Sequence, residues 1–265
     1  MRVLFAGLLC ILFFSCKKLF TYNANEIQID GKDKNQNIQN IDRLESKTQN
    51  AGFRFVVITD TQRFYDEMDD FIEKINTYPD ISFLVLVGDI TDFGLRSEYL
   101  WICHRLQKLS FPFLAVIGNH DMLGNGRELY KQMFGPENFG FSYSGYKFIV
   151  LNSNSQEVGY NGSLPDTSWL QQELSVTPPE QKIFVFAHLA PFSGDFDRSL
   201  EQAYVRTLAN NGNVLYSIHG HEDIFYLGQP YEPPVKYLIV NSLKARAFVL
   251  INITDNGINV EEASF

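Results

Sequence analysis

The chain has 265 residues, of which 45% are hydrophobic, and this is enough apolar material to bury one large core. Its 22 basic and 31 acidic residues give a formal net charge of -9, which argues against a nucleic-acid duplex as partner. An acidic surface does not exclude a local cationic metal site that binds an anion.

The N-terminal stretch MRVLFAGLLCILFFSC has the pattern of an export signal. Arg2 precedes an uncharged apolar run over residues 3–14, which is short for a membrane span and suits the core of a secretory signal. Ser15 and Cys16 resemble the end of a bacterial lipoprotein signal, in which the cysteine is lipidated. We predict a signal peptide over residues 1–15 and a lipoprotein held at a membrane of the bacterial cell envelope. An ordinary signal peptide or a signal anchor is the alternative, and the former gives a periplasmic or secreted protein.

Residues 16–52 are rich in Asn, Gln, Lys and Asp, with scattered apolar residues. Such a segment cannot bury enough apolar surface to offset the entropy of an ordered chain. We therefore predict a flexible tether here, followed by one folded domain over residues 53–265.

Within that domain, short apolar runs alternate with helical periodicity. Buried strands of a parallel sheet are predicted from FRFVVITD (53–60), SFLVLVGDI (82–90), FPFLAVIGNHD (111–121) and KIFVFAHLAP (182–191). Apolar residues at helical spacing predict crossover helices from Phe64 to Ile75 and from Leu95 to Leu109. Cys103 lies on the apolar side of the second helix and is predicted to be a small core residue.

The remaining elements complete the predicted fold. A hairpin over residues 139–153, with Gly145 at its turn, precedes a helix over residues 166–174. The last third of the chain reads as a meander of strands separated by Gly, Pro or Asn. This order predicts an α/β fold in which two mixed sheets pack face to face between outer helices, as a four-layer α/β/β/α sandwich.

Side chains that can bind a cation follow five of the apolar runs. They are Asp60, Asp89, Asn119 with His120, His188, and His221. Any one of them alone could be a turn former or a hydrogen-bonded structural residue. Because the carboxyl ends of parallel strands meet at one edge of a sheet, five in succession predict one site there. Carboxylates, a carboxamide and imidazoles are the ligands that Mn, Fe and Zn ions bind.

These residues lie in motifs that resemble those of the calcineurin-like metallophosphoesterases. The family pattern is Asp-x-His, Gly-Asp-x-x-Asp, Gly-Asn-His-Asp/Glu, a His often followed by Pro, and Gly-His-x-His. The corresponding segments here are DTQ (60–62), GDITD (88–92), GNHD (118–121), HLAP (188–191) and GHED (220–223). The order of the motifs agrees from about Phe53 to the C-terminus, and the two central motifs are intact.

The resemblance implies two divalent metal ions, from Mn, Fe, Mg or Zn, that hydrolyse a phosphate mono- or diester through a metal-activated hydroxide. The implied ligands are Asp89, Asn119, His188 and His221 for one ion, and Asp60, Gln62, Asp89 and Asp223 for the other. His120 would contact the phosphate and protonate the leaving oxygen, and Asp92 would orient the imidazole of His120.

Gln62 and Asp223 replace two histidines of the family pattern, and both belong to the same ligand set. That set would then contain only oxygen donors, which favour a harder ion such as Mn or Mg over Zn. His219 is an alternative ligand, although its position does not match the motif. The two replacements also leave open a different class of protein, a tethered pseudoenzyme that binds a phosphate ligand with one degenerate metal site.

Two other classes of phosphate- and ester-processing enzyme are disfavoured by the sequence. The chain has no Gly-x-Ser-x-Gly segment, which a serine hydrolase of the α/β type needs at its nucleophile turn. It also has no Gly-x-x-x-x-Gly-Lys-Ser/Thr segment, which a P-loop kinase or GTPase needs to bind phosphates.

Overall fold

The computed structural model describes residues 23, 26–46, 52–231 and 234–265. The predicted signal peptide over residues 1–15 and the lipidation site Cys16 lie outside this part of the chain, so both stay predictions. No helix in the described ranges is long and apolar enough to cross a membrane.

The described residues form six α-helices and four short 3-10 helices. The α-helices are α1 (Gln36–Glu45), α2 (Tyr65–Ile75), α3 (Arg96–Leu106), α4 (Gly126–Met133), α5 (Thr167–Ser175) and α6 (Arg198–Ala209). The 3-10 helices are Gly31–Asp33, His120–Met122, Gln156–Val158 and Leu243–Ala245. The helices predicted from apolar spacing are confirmed as α2 and α3, whereas the short, mostly polar α4 and the helix α6 were not predicted.

Eleven strands form two sheets. They are β1 (Phe53–Ile58), β2 (Ile81–Val87), β3 (Phe113–Val116), β4 (Phe139–Tyr143), β5 (Tyr146–Val150), β6 (Lys182–Phe186), β7 (Val214–His219), β8 (Tyr226–Gly228), β9 (Lys236–Ile239), β10 (Ala247–Thr254) and β11 (Gly257–Ser264). The first sheet has the order β11-β10-β1-β2-β3, and the second has the order β4-β5-β6-β7-β9-β8. Parallel and antiparallel pairs occur in both sheets, so both are mixed as predicted.

The near-continuous apolar runs of the strands bury both faces of each sheet. In β1, Phe55 and Val57 pack into the core between the sheets, while Val56 and Ile58 pack against the helices of the first sheet. In the same way, β5 sends Phe148 into the core between the sheets, and its neighbouring residues contact α5 and α6. Because successive side chains of a strand point to opposite faces, one run of apolar residues serves two cores.

The C-terminal third of the chain differs from the predicted meander. β7 and β9 pair in parallel within the second sheet, and the chain then crosses to the first sheet, where β10 pairs with β1. The predicted hairpin is confirmed: β4 and β5 pair antiparallel, and the last pair before the turn is Tyr143 with Tyr146. The two turn residues, Ser144 and Gly145, both have positive φ.

Residues 26–46 differ from the predicted flexible tether. Helix α1 packs on β3, which is the edge strand of the first sheet, and Leu44 is buried in the core between the sheets. The side chain of Asn37 donates to the carbonyl of Ala115 at 2.9 Å and accepts from its N–H at 2.8 Å. Asn40 accepts from the N–H of Phe113 at 3.3 Å. The two side-chain amides thus form hydrogen bonds with backbone groups of the edge strand that have no neighbouring strand on that side. These hydrogen bonds explain why polar residues of α1 are buried.

We expect Asn37→Ala to lower the free energy of unfolding by about 1–3 kcal/mol, because the N–H of Ala115 loses its partner inside the protein. The carbonyl of Ala115 keeps a second partner, the hydroxyl of Tyr130, at 2.7 Å. Denaturant unfolding of the full chain measures the change. Asp42→Ala, on the exposed side of α1, is the control and should change the same quantity by less than about 0.5 kcal/mol. Equal effects of the two substitutions would contradict the role given to Asn37.

Candidate metal centre

The side chains that follow β1, β2, β3, β6 and β7 meet at one edge of the two sheets. Each strand ends before the residues concerned, so these side chains are carried by loops at the carboxyl ends of the strands. The backbone N–H of His221 donates to Asp60 at 3.1 Å, and the backbone N–H of His120 donates to Asp89 at 3.0 Å. The loops of both sheets are therefore joined directly at this edge.

Four of the predicted ligands form a compact group. Asp89, His188 and His221 each place one ligand atom within 4.8 Å of the others. Asn119 Oδ1 lies 3.1 Å from both His188 Nε2 and His221 Nδ1. Asp89 Oδ1 lies 3.3 Å from His188 Nε2. These are the four side chains that the family resemblance assigns to one ion.

Both ring nitrogens of His188 have acceptors as neighbours. Nδ1 lies 2.7 Å from the carbonyl of Val87, so this nitrogen carries a proton and Nε2 faces Asn119 and Asp89. Burial lowers the pKa of His188, but the carboxylate of Asp89 outweighs it and raises the pKa to about 10. A positive charge is thus favoured at His188 Nε2, and either a proton or a metal ion at that position can supply it.

The second predicted ligand set is only partly assembled. Asp60 is buried, and its Oδ2 accepts from the hydroxyl of Thr59 at 2.6 Å. Burial raises the pKa of Asp60 to about 7, although His188 opposes the rise. Gln62 Nε2 donates to Asp89 Oδ2 at 3.4 Å, and Gln62 Oε1 is buried without any hydrogen-bond partner. An unpaired oxygen beside a carboxylate fits the donor set of a hard cation.

Asp223 and His219 do not join this group. Asp223 is exposed and lies outside the cluster formed by Asp89, His188 and His221. His219 is fully buried, with Nε2 2.8 Å from the hydroxyl of Ser217 and Nδ1 2.7 Å from the carbonyl of Ala187. Burial lowers the pKa of His219 to about 3. His219 thus faces Ser217 and a backbone carbonyl, and the structure does not bring it together with the other candidate ligands.

The environment of His120 differs from the predicted one. His120 Nδ1 lies 2.8 Å from the backbone carbonyl of Asp92, whereas the carboxylate of Asp92 is 3.9 Å away and forms an ion pair with Arg63. The backbone of Asp92, and not its side chain, therefore orients the imidazole. Burial lowers the pKa of His120, but Asp89 outweighs burial and the pKa is raised overall.

Two carboxylates at this edge were not predicted as site residues. Asp121 accepts from the backbone N–H groups of Gly118, Ile90 and Thr91 at 2.8, 3.1 and 2.9 Å, and so joins the loops after β2 and β3. The sequence feature that could have identified Asp121 as a site residue is its position at the end of the GNHD segment. Asp195 Oδ2 lies 3.0 Å from His221 Nε2. Asp195 lies in the loop between β6 and α6, and nothing in the sequence distinguishes it from a turn residue.

The backbone at this edge is unusual in two ways. Asp60, Asp89 and His221 have φ values of 52°, 52° and 72°, in the left-handed region that residues with a Cβ rarely adopt. A Cβ on Gly118 would overlap the backbone nitrogen and the carboxylate of Asp89. The glycine before Asn119 is therefore required for the close approach of two loops, and the strained φ values are held by the surrounding hydrogen bonds.

Residues 53–224 match the family model described as calcineurin-like phosphoesterase, which is more than half of the chain. The chain therefore belongs to the calcineurin-like phosphoesterase family, and the four-layer fold predicted from the sequence is confirmed.

Named relatives include phosphodiesterases, and a solved structure with the same fold is named as a phosphatase. A probable glycerophosphodiester phosphodiesterase of Arcobacter nitrofigilis is 31% identical over 126 residues, which are 45% of this chain and 45% of that protein. A 3',5'-cyclic-nucleotide phosphodiesterase of Nostoc sp. is 26% identical over 209 residues, 73% of this chain and 76% of that protein. A dimetal phosphatase of Danio rerio shares the fold, with a TM-score of 0.61 and 14% identity over 80% of this chain and 99% of that one. The chain thus spans less than half the length of the first of these relatives.

We expect Gly118→Ala to abolish metal binding, because the added methyl group pushes the loop of Asn119 away from Asp89. Metal content of the purified full chain, measured by mass spectrometry, and the thermal midpoint with and without Mn²⁺ give the result. Gly212→Ala is the matched control, since a Cβ on Gly212 meets no atom within 4 Å and its φ is ordinary. Normal metal content in Gly118→Ala would show that the close approach of these loops does not define the centre.

Proposed function

We propose that the chain hydrolyses a phosphate ester at a centre of two divalent metal ions. The observation that carries this proposal is the convergence of Asn119 Oδ1 on imidazole nitrogens of His188 and His221. Asp89 Oδ1 lies close to the same nitrogen of His188, and Asp89 Oδ2 accepts from Gln62, whose Oε1 is buried and unpaired. A group of acceptor atoms this close together, buried with a carboxylate, is stabilised by cations. Membership of the calcineurin-like phosphoesterase family supports a phosphate ester as substrate.

Asp89 is the residue best placed to contact both ions. Its Oδ1 faces His188, in the set with two imidazoles, and its Oδ2 faces Gln62, in the set with oxygen donors only. Asn119, His188 and His221 would hold the first ion, and Asp60, Gln62 and Asp223 the second, with Asp223 moving inward from its exposed position. When bound, such a pair of cations lowers the pKa of a water molecule and neutralises the oxygens of the phosphoryl group.

We assign protonation of the leaving group to His120. Its Nδ1 is held by the carbonyl of Asp92, so its Nε2 is available to the substrate. The carboxylate of Asp89 outweighs burial and raises the pKa of His120, and the protonated ring can pass its proton to the leaving oxygen. Arg63 forms an ion pair with the Asp92 carboxylate beside His120, so a second cationic side chain lies near this ring.

The proposal leaves the substrate open between a mono- and a diester. Relatives of this chain are named as diesterases, and a protein that shares its fold is named as a phosphatase.

We further propose that the protein is exported and anchored through Cys16 in the bacterial cell envelope. The evidence for this is the pattern of residues 1–16, and the substrate would then be met outside the cytoplasm.

A pseudoenzyme that binds a phosphate ligand is the second candidate. The exposed position of Asp223 favours it, because without this carboxylate the second ion would have only Asp60, Gln62 and Asp89 as ligands. The intact group of Asp89 with Asn119, His188 and His221 favours the enzyme. The two candidates therefore differ in whether the oxygen-only set holds an ion.

Assays of the full chain, stripped of metal and then supplied with Mn, Mg, Fe or Zn, separate these candidates. We expect hydrolysis of an aryl phosphate mono- or diester with at least one ion, and two bound ions per chain at saturation. Asp89→Asn should lower kcat/KM by more than about 100-fold. Removing a residue that only hydrogen-bonds to a metal ligand typically costs about 10–100-fold, and Asp89 is proposed to be a ligand itself. Asp42→Asn, on the exposed face of α1, is the control and should leave the rate unchanged. No turnover with any ion, together with at most one bound ion, would establish the pseudoenzyme.

We expect Gln62→His to raise the affinity of one site for Zn²⁺ by about tenfold or more, because an imidazole replaces an oxygen donor. Competition titration with a chromogenic Zn²⁺ chelator measures the change. Gln39→His adds a histidine on the exposed side of α1 and controls for adventitious binding. If Gln62→His and Gln39→His bind Zn²⁺ alike, then Gln62 does not coordinate an ion.

A further inference from the structure

We infer that Asp195 is a positioning residue for the metal centre, because its carboxylate holds His221 in the tautomer whose Nδ1 can bind a cation. This inference rests on the proposed function, since it assigns His221 to a metal ion. Asp195 lies between β6 and α6, outside every motif segment that resembles the family.

The hydrogen bonds of His221 determine its tautomer. His221 Nε2 lies 3.0 Å from Asp195 Oδ2, and an ionised carboxylate can only accept a hydrogen bond. Nε2 therefore carries the proton, and in the neutral ring Nδ1 has none. The lone pair of Nδ1 then faces Asn119 Oδ1 at 3.1 Å, and two acceptors in this arrangement suit a shared cation.

His188 provides an internal comparison. The carbonyl of Val87 accepts from His188 Nδ1 and directs Nε2 toward the same Asn119 oxygen. Both imidazoles thus present a nitrogen to one point, and in each ring the other nitrogen is bound by an acceptor. The acceptor is a backbone group for His188 and a side chain for His221, so only the second can be removed by substitution.

The residues that follow Asp195 fix its position. Phe196 is buried with its ring centroid 5.7 Å from that of Tyr204 on α6. Asp197 caps α6 by accepting from the N–H of Ser199 at 2.9 Å. Asp195 itself has a side chain that is 42% exposed, so its charge is partly screened. Its main effect should therefore be on the orientation and tautomer of His221.

The tautomer can be observed without metal or turnover. In the metal-free full chain, at a pH of about 8, above the ordinary range of an imidazole, two-bond ¹⁵N–¹H NMR correlations distinguish a ring protonated at Nε2 from one protonated at Nδ1. We expect His221 to be protonated at Nε2 in the wild type. In Asp195→Ala we expect its two nitrogen shifts to move toward their average. A His221 ring protonated at Nδ1 in the wild type would overturn the inference.

Metal affinity provides the second readout. We expect Asp195→Ala to weaken binding of Mn²⁺ or Co²⁺ by about 10–100-fold, and Asp195→Asn to weaken it less, because an amide oxygen can still accept from Nε2. Asp195→Asn also keeps the shape of the side chain, so it serves if Asp195→Ala does not fold.

Glu157→Gln is the charge-matched control. Burial raises the pKa of Glu157, and the nearby charges of Asp89 and Asp195 add to the rise. In the described structure Glu157 Oε2 is buried without a hydrogen-bond partner, so this oxygen orients no imidazole. Its substitution should change metal affinity by less than about fivefold, as expected for a partly screened charge. Equal losses in Glu157→Gln and Asp195→Ala would overturn the positioning role. A wild-type chain that binds no metal would instead refute the proposed function, so the two failures are distinguishable.

Discussion

Atoms that accept hydrogen bonds face one another where the carboxyl ends of the strands meet, and the rest of the site depends on this arrangement. Asp60 and Asp89 are buried there, and Asn119 directs its oxygen at two imidazole nitrogens. Buried acceptors and negative charges are costly unless a positive charge compensates them. The raised pKa of His188 shows that a proton can play this part, and the proposed metal ions would play it more completely.

The architecture of the domain brings these atoms together. Three of the strands that lead to the site belong to the first sheet and two to the second, so the site forms only if the sheets are held face to face. Aromatic pairs that cross from one sheet to the other contribute to this, such as Phe83 on β2 edge-to-face against Phe148 on β5, with ring centroids 5.2 Å apart. The hydrogen bond from His221 to Asp60 then joins the loops of the two sheets. The aromatic core and the site are thus linked through strands that end two to four residues before the proposed ligands.

The sequence predicted most of the fold, because continuous apolar runs and helical spacing report burial directly. It could not predict helix α1, where Asn37 and Asn40 are buried to bond an edge strand and so look like solvent-exposed residues. It predicted which strand ends bring polar side chains together, but not that the backbone of Asp92 holds His120, since any residue offers a carbonyl. The same limit applies to Asp195, whose role depends on a contact with His221, 26 residues away.

The two proposed ligand sets differ in how far the protein alone organises them. In the set with two imidazoles, His188, His221 and Asp89 are each oriented by a hydrogen bond to a carbonyl, a carboxylate or a backbone N–H. In the oxygen-only set, Gln62 has an unpaired oxygen and Asp223 is exposed. An ion entering the second set must therefore also order its ligands, which lowers its affinity relative to a preorganised site. This difference follows from the two replaced histidines. A ligating imidazole can donate a hydrogen bond from its second ring nitrogen, which fixes its orientation, whereas an amide or a carboxylate has no such nitrogen.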